Sequence, residues 1–138
     1  MRIVLDTNVL VSGLLSPNGP PGRILDLVLA GKVNVVFDDR IIAEYRDVLA
    51  RPKLRISRRE AEYVIDRIED EGVLTPAPPL SLKLPDPKDQ PFVEVAVAGA
   101  AEVLVTGNQR HFTVGDEPLP VTVLTPADFL NLWLSRGT

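Results

Sequence analysis

The chain contains no cysteine and a single histidine, His111. The first absence excludes disulfides and thiolate metal sites, and it fits a reducing compartment. The second excludes a zinc site built from several imidazoles. No apolar run approaches the roughly 18–20 residues that span a bilayer. The opening stretch, MRIVLDTNVL, meets Asp6 before it could form the apolar core of a secretion signal. These features lead us to expect a cytoplasmic protein that does not contact a membrane. Neither a Walker-type phosphate loop nor a Gly-x-Ser-x-Gly elbow is present, so the motif-borne routes to nucleotide binding and serine hydrolysis are unsupported.

What is present is globular in character. The 138 residues are 45% hydrophobic and 25% charged, enough for one domain with a genuine core, and residues 1–138 read as a single domain without repeats. The net charge of −4 is not that of an obvious nucleic-acid binder. Its distribution is uneven, however. Residues 40–59 carry seven basic side chains (Arg40, Arg46, Arg51, Lys53, Arg55, Arg58, Arg59) against two acidic ones. Such a cluster reads either as a solvated helical hairpin or as a patch facing phosphates.

Short apolar runs at 2–5, 33–37, 103–106 and 121–124 predict buried strands, with a shorter one at 73–75. Helical patterns are predicted over 8–15, from Ile24 to about Gly31, from Asp38 or Asp39 to Pro52, and over 92–101, with a last helix opening at Thr125-Pro126. Ser57 and Glu60 form a capping box for another helix that reaches Glu71. Prolines punctuate 76–91, which predicts an extended segment. Strands alternating with helices indicate an α/β fold with a mostly parallel sheet covered on both faces.

In such sheets ligands bind beyond the carboxyl ends of the strands. The polar groups there are Asp6-Thr7-Asn8, Asp38-Asp39 and Thr106-Gly107-Asn108, and Asp86 and Asp89 precede the helix before the fourth strand. Asp6 directly follows a buried run, so it reads either as a helix cap or as a carboxylate that a cation compensates. Glu44 lies at the edge of an apolar stripe and is either solvated or aimed into a cleft. Asp86 and Asp89 read as turn and cap residues or as ligands. His111 reads as structural. An inventory of carboxylate and amide oxygens suits Mg²⁺ or Mn²⁺.

Three pieces, LDTNVLVSGLL, VVFDDRIIAEYRDVLARPKL and DPKDQPFVEVAVAGAAEVLVTGNQRHF, in this order, resemble the PIN domain, in particular prokaryotic proteins related to VapC-type toxins. The resemblance covers nearly the whole chain. It implies a PIN-like, Rossmann-like α/β/α sandwich, an acidic pocket for Mg²⁺ or Mn²⁺, and endoribonuclease activity as the toxin component of a toxin–antitoxin system. It assigns the metal-binding acids to Asp6, Glu44 and Asp89, with Asp86 as a companion, and makes Asp6, Glu44, Asp89 and Asn108 the catalytic set. Thr7, Asn8 and Thr106 become expected substrate contacts, and the bases Arg40, Arg46, Arg51, Lys53 and Arg110 of this sequence are candidates to steer RNA. The implied partners are an RNA substrate, an antitoxin protein and a second copy of the chain in a homodimer or higher homo-oligomer. One departure stands out: Asn108 occupies the position of a further acid, which leaves open a catalytically weak or inactive module that binds RNA or protein.

Overall fold

Buried runs such as Ile3-Val4-Leu5 and Val103-Leu104-Val105, fully apolar and without alternation, fit only strands covered on both faces. A computed structural model of the chain, described over residues 1–137, places them at the centre of a sheet. The elements in chain order are β1 (Arg2–Leu5), α1 (Thr7–Leu15), α2 (Pro20–Leu29), β2 (Asn34–Phe37), α3 (Asp39–Leu49), α4 (Arg58–Glu71), β3 (Val73–Leu74), α5 (Gln90–Ala98), β4 (Val103–Val105), β5 (Thr122–Leu124) and α6 (Pro126–Arg136). Single 3₁₀ turns at Pro52–Leu54, Pro87–Asp89 and Gln109–His111 were not foreseen, because so short a turn has no periodicity to detect.

The strand order is β3-β2-β1-β4-β5, and every pair is parallel. Helix α5 lies across β1, β2 and β4, whereas α1, α2, α4 and α6 form a connected layer through α2. This is the expected α/β/α sandwich. The chain winds from β1 outward through β2 to β3, then returns to the other side of β1 with β4. The crevice between the ends of β1 and β4 is thus a topological switch point, where ligands bind in open α/β sheets. Among the described residues no helix is long and apolar enough to cross a membrane.

Two helix starts differ from expectation. Helix α2 begins at Pro20 rather than at the apolar run from Ile24, because proline suits the first helical turn, where its missing N–H costs nothing. A Cβ on Gly22 would stand 2.1 Å from the carbonyl oxygen of Pro17, so only glycine lets that first turn fold back on the preceding loop. Helix α5 runs from Gln90 to Ala98 and stops before Gly99, so its bounds lie earlier than predicted.

Helix α3 is docked on the end of β1 by one buried contact. The Tyr45 hydroxyl donates to the Leu5 carbonyl oxygen at 2.6 Å, and Tyr45 is fully buried. Burial, then the nearby Asp6 and Glu44 carboxylates, push this hydroxyl well above its usual range, so it remains a proton donor. Tyr45→Phe is expected to lower stability by about 1–3 kcal/mol, because a buried acceptor loses its donor. Urea denaturation measures this, and an unchanged midpoint would show that the contact contributes nothing.

Candidate active site

Asp6 ends the central strand and is buried. Its backbone occupies the N-cap position of α1, yet its side chain makes no capping bond. The cap reading therefore fails. Asp6 Oδ2 instead accepts from Thr106 Oγ1 at 2.8 Å and Asn8 Nδ2 at 3.2 Å. Burial raises its pKa, and the Thr106 bond offsets this more than the Glu44 charge adds to it.

Glu44 projects from α3 into the same basin, where Thr7 Oγ1 donates to its Oε2. Asp86 accepts from the Lys88 backbone N–H at 2.9 Å and also lines the basin, so it is both a turn residue and a site residue. Asp89 closes the adjoining 3₁₀ turn and is 9% exposed. Its carboxylate does not cap α5. Burial, followed by the charges of Asp6 and Asp86, pushes its pKa up to about 6. Its Oδ2 is buried without a hydrogen-bond partner. The nearest cationic candidate is His111 Nδ1 at 3.4 Å, within ion-pair range but beyond a hydrogen bond.

Asp6, Glu44, Asp86 and Asp89 thus share an open basin of about 470 Å³, with Thr7, Asn8, Ser12, Arg51, Lys53, Lys88 and His111 among its other walls. Among the described residues no three Asp, Glu or His side chains are already gathered tightly enough to enclose an ion. The acids share a field and a cavity rather than a closed cage.

Several expected contacts need correction. The polar atoms of Thr7, Asn8 and Thr106 are spent on the protein: Thr7 on Glu44, Asn8 on Asp6 and the Gly107 N–H, Thr106 on Asp6 and the Asn108 N–H. In this arrangement they orient carboxylates, and of the three Thr7 and Asn8 also line the basin. Arg40 pairs with Asp38 at 2.8 Å and Glu94 at 2.7 Å, and Arg46 pairs with Glu69 at 2.6 Å. Neither lines the basin, and neither does Arg110. Asp38 caps α3 by accepting from the Ile41 N–H, so it too is occupied elsewhere. Asn108 does not line the basin but contacts His111, which does, with Nδ2 at 3.0 Å from His111 Nε2.

Lys88 and His111 were missed as site residues. Lys88 had a signal, since it lies between two candidate acids. So did His111, which lies in the segment directly after β4, but as a lone histidine it read as structural.

Comparison with known proteins bears on the fold and the family. The chain is 28% identical over 146 aligned positions to an uncharacterized protein of Methanocaldococcus jannaschii, covering 94% of this chain and 90% of that protein. Its fold is similar to that in the crystal structure of VapBC2 from Rickettsia felis bound to a DNA fragment from their promoter. The TM-score is 0.53 at 15% identity, over 91% of this chain and 98% of the other. The PIN domain model matches residues 2–110, a span that includes all four basin carboxylates. The chain therefore belongs to the PIN domain family, whose members are in general nucleases.

Proposed function

We propose that this protein is a metal-dependent endoribonuclease and the toxin half of a toxin–antitoxin pair. One observation carries the reading: Asp89 Oδ2 is buried without a donor, in a basin it shares with three other carboxylates at the switch point. A buried carboxylate without a partner costs several kcal/mol, and raised pKa values at Asp6 and Asp89 record that cost. A divalent cation relieves it. The donor set, all carboxylate oxygen apart from His111, fits Mg²⁺ or Mn²⁺.

Asp6, Glu44 and Asp89 would hold the ion, with Asp86 beside them. When bound, Mg²⁺ or Mn²⁺ supplies a Lewis acid that activates water and stabilises charge building on a phosphodiester. The chain's own residues do the rest. Thr106 and Asn8 both donate to Asp6 Oδ2 and hold that carboxylate, and Thr7 holds Glu44. Arg51, Lys53 and Lys88 on the walls attract the phosphate backbone to a site that would otherwise repel it. The open mouth suits a flexible single strand. Similarity to the fold of VapBC2 supports an antitoxin protein as the natural partner.

The amide at Asn108, in place of an expected acid, favours a second reading: a module that binds RNA without cutting it. Incubation of the protein with end-labelled single-stranded RNA separates the two. Cleavage is expected in Mn²⁺ or Mg²⁺, and none in EDTA. RNA that is retained by the protein yet intact in every metal would establish the binding module instead.

A further inference from the structure

We infer that His111 is a nitrogen ligand of the basin's divalent ion, tilting the site toward ions that accept imidazole, such as Mn²⁺, over Mg²⁺. This rests on the reading of the basin as a metal-dependent nuclease site.

The placement of His111 is not accidental to one contact. A chain of polar contacts runs from Asp6 Oδ2 to Thr106 Oγ1 at 2.8 Å, from Thr106 Oγ1 to the Asn108 backbone N–H at 3.0 Å, from the Asn108 amide to His111 Nε2 at 3.0 Å, and from His111 Nδ1 to Asp89 Oδ2 at 3.4 Å. Residues 106–112, which include no carboxylate, thereby join two carboxylates by way of an imidazole. The last distance is the informative one. It is too long for a hydrogen bond. Two neighbouring donor atoms bound to one ion at about 2.1 Å stand roughly 3.0–3.4 Å apart, for octahedral to tetrahedral angles. Nδ1 and Oδ2 therefore have the spacing of adjacent ligands, and Oδ2 is buried with no hydrogen bond to lose.

Asn108 explains how the ring is prepared. A ligating histidine keeps its other nitrogen in a hydrogen bond that fixes the tautomer. The Asn108 side chain meets Nε2. With its amide turned so that the carbonyl accepts from Nε2–H, the Nδ1 lone pair faces Asp89. Imidazole suits transition metals better than it suits Mg²⁺, whose preferred ligands are carboxylates and water.

The chain has one histidine, so its ring nitrogens can be followed by ¹⁵N NMR without ambiguity. Zn²⁺, as a diamagnetic probe, is expected to shift Nδ1 and leave Nε2 protonated. By calorimetry at fixed pH, His111→Ala is expected to weaken Mn²⁺ binding about tenfold or more while Mg²⁺ binding changes less than about threefold. His111→Asp, which makes the set all oxygen, is expected to strengthen Mg²⁺. His111 is 46% exposed, so these variants should fold, and the wild-type spectrum does not depend on them. Ring nitrogens that stay put while Zn²⁺ binds would overturn the inference and leave the nuclease reading standing. So would His111→Ala tightening Mn²⁺ and Mg²⁺ alike, since that is the behaviour of a mere countercharge to Asp89. Failure of the wild type to bind any divalent ion would overturn the metal reading itself, and this inference with it.

Discussion

Asp6→Asn is expected to reduce RNA cleavage about 10³-fold, close to 4 kcal/mol of transition-state stabilisation, while leaving the fold at least as stable as before. The two halves of this expectation have one cause. Asp6 is a buried carboxylate whose burial raises its pKa, so in the absence of a cation its charge opposes folding. The isosteric amide removes that charge and still offers an oxygen to Thr106 Oγ1, which now donates to Asp6 Oδ2 at 2.8 Å. What the amide cannot supply is the negative charge that, on the proposed reading, would draw a divalent ion to Asp6, Glu44 and Asp89. Cleavage rates in Mn²⁺, beside thermal denaturation in EDTA, test both halves. Activity within about threefold of the wild type would remove Asp6 from the site. A large loss of stability would show that it serves the fold instead.

The second large effect concerns stability. Glu94 is 3% exposed on α5 and holds two partners: Arg40 Nη1 at 2.7 Å and the Leu80 backbone N–H at 2.8 Å. Gln90, also on α5, donates to the Leu80 carbonyl at 2.8 Å. The proline-rich stretch that leads to Asp86 and Asp89 is thus gripped at Leu80 from both sides. Glu94→Ala leaves the Leu80 N–H without its acceptor and creates a void. It is expected to cost about 2–3 kcal/mol, which is roughly 8 °C in Tm for a chain of this length. The Arg40 share of the loss is small, because that side chain is 46% exposed and still has Asp38. Glu94→Gln, which retains an acceptor for Leu80, should cost about half as much. A denaturation midpoint for Glu94→Ala within 0.5 kcal/mol of the wild type, on the order of measurement error, would rule out the clamp.

Glu94 also shows where sequence reading stops. Its partner Arg40 lies 54 positions away, and nothing in the spacing of either residue points to the other. Arg40 therefore looked like a free cation in a basic cluster and was assigned to substrate. The same cluster contained Arg51 and Lys53, which do line the basin. Charge counting could find the cluster but not sort its members. The strands were legible for the opposite reason. A fully apolar run such as Val103-Leu104-Val105 has one comfortable environment, so its composition reports its location directly. Asp6 was legible because a carboxylate right after such a run is anomalous. Glu44 was ambiguous, since the edge of a helical stripe faces both cleft and solvent, and only its contact with Thr7 decides between them. The 3₁₀ turns that set Asp89 and His111 face to face had no readable pattern, and so that pair escaped notice.

The bond between Thr106 and Asp6 spans 100 positions, and β1 is paired on one side with β2 and on the other with β4. Asp6 is therefore made about a hundred residues before its second flanking strand and its orienting hydroxyl. Until then β1 has one bare edge, and the Asp6 carboxylate has neither Thr106 nor Asp89 beside it. Long-range parallel pairing of this kind forms late and slowly. A growing or prematurely ended chain thus carries the first acid without an assembled centre. The order of the strands thus keeps the basin unassembled until β4 and the residues behind it have been made.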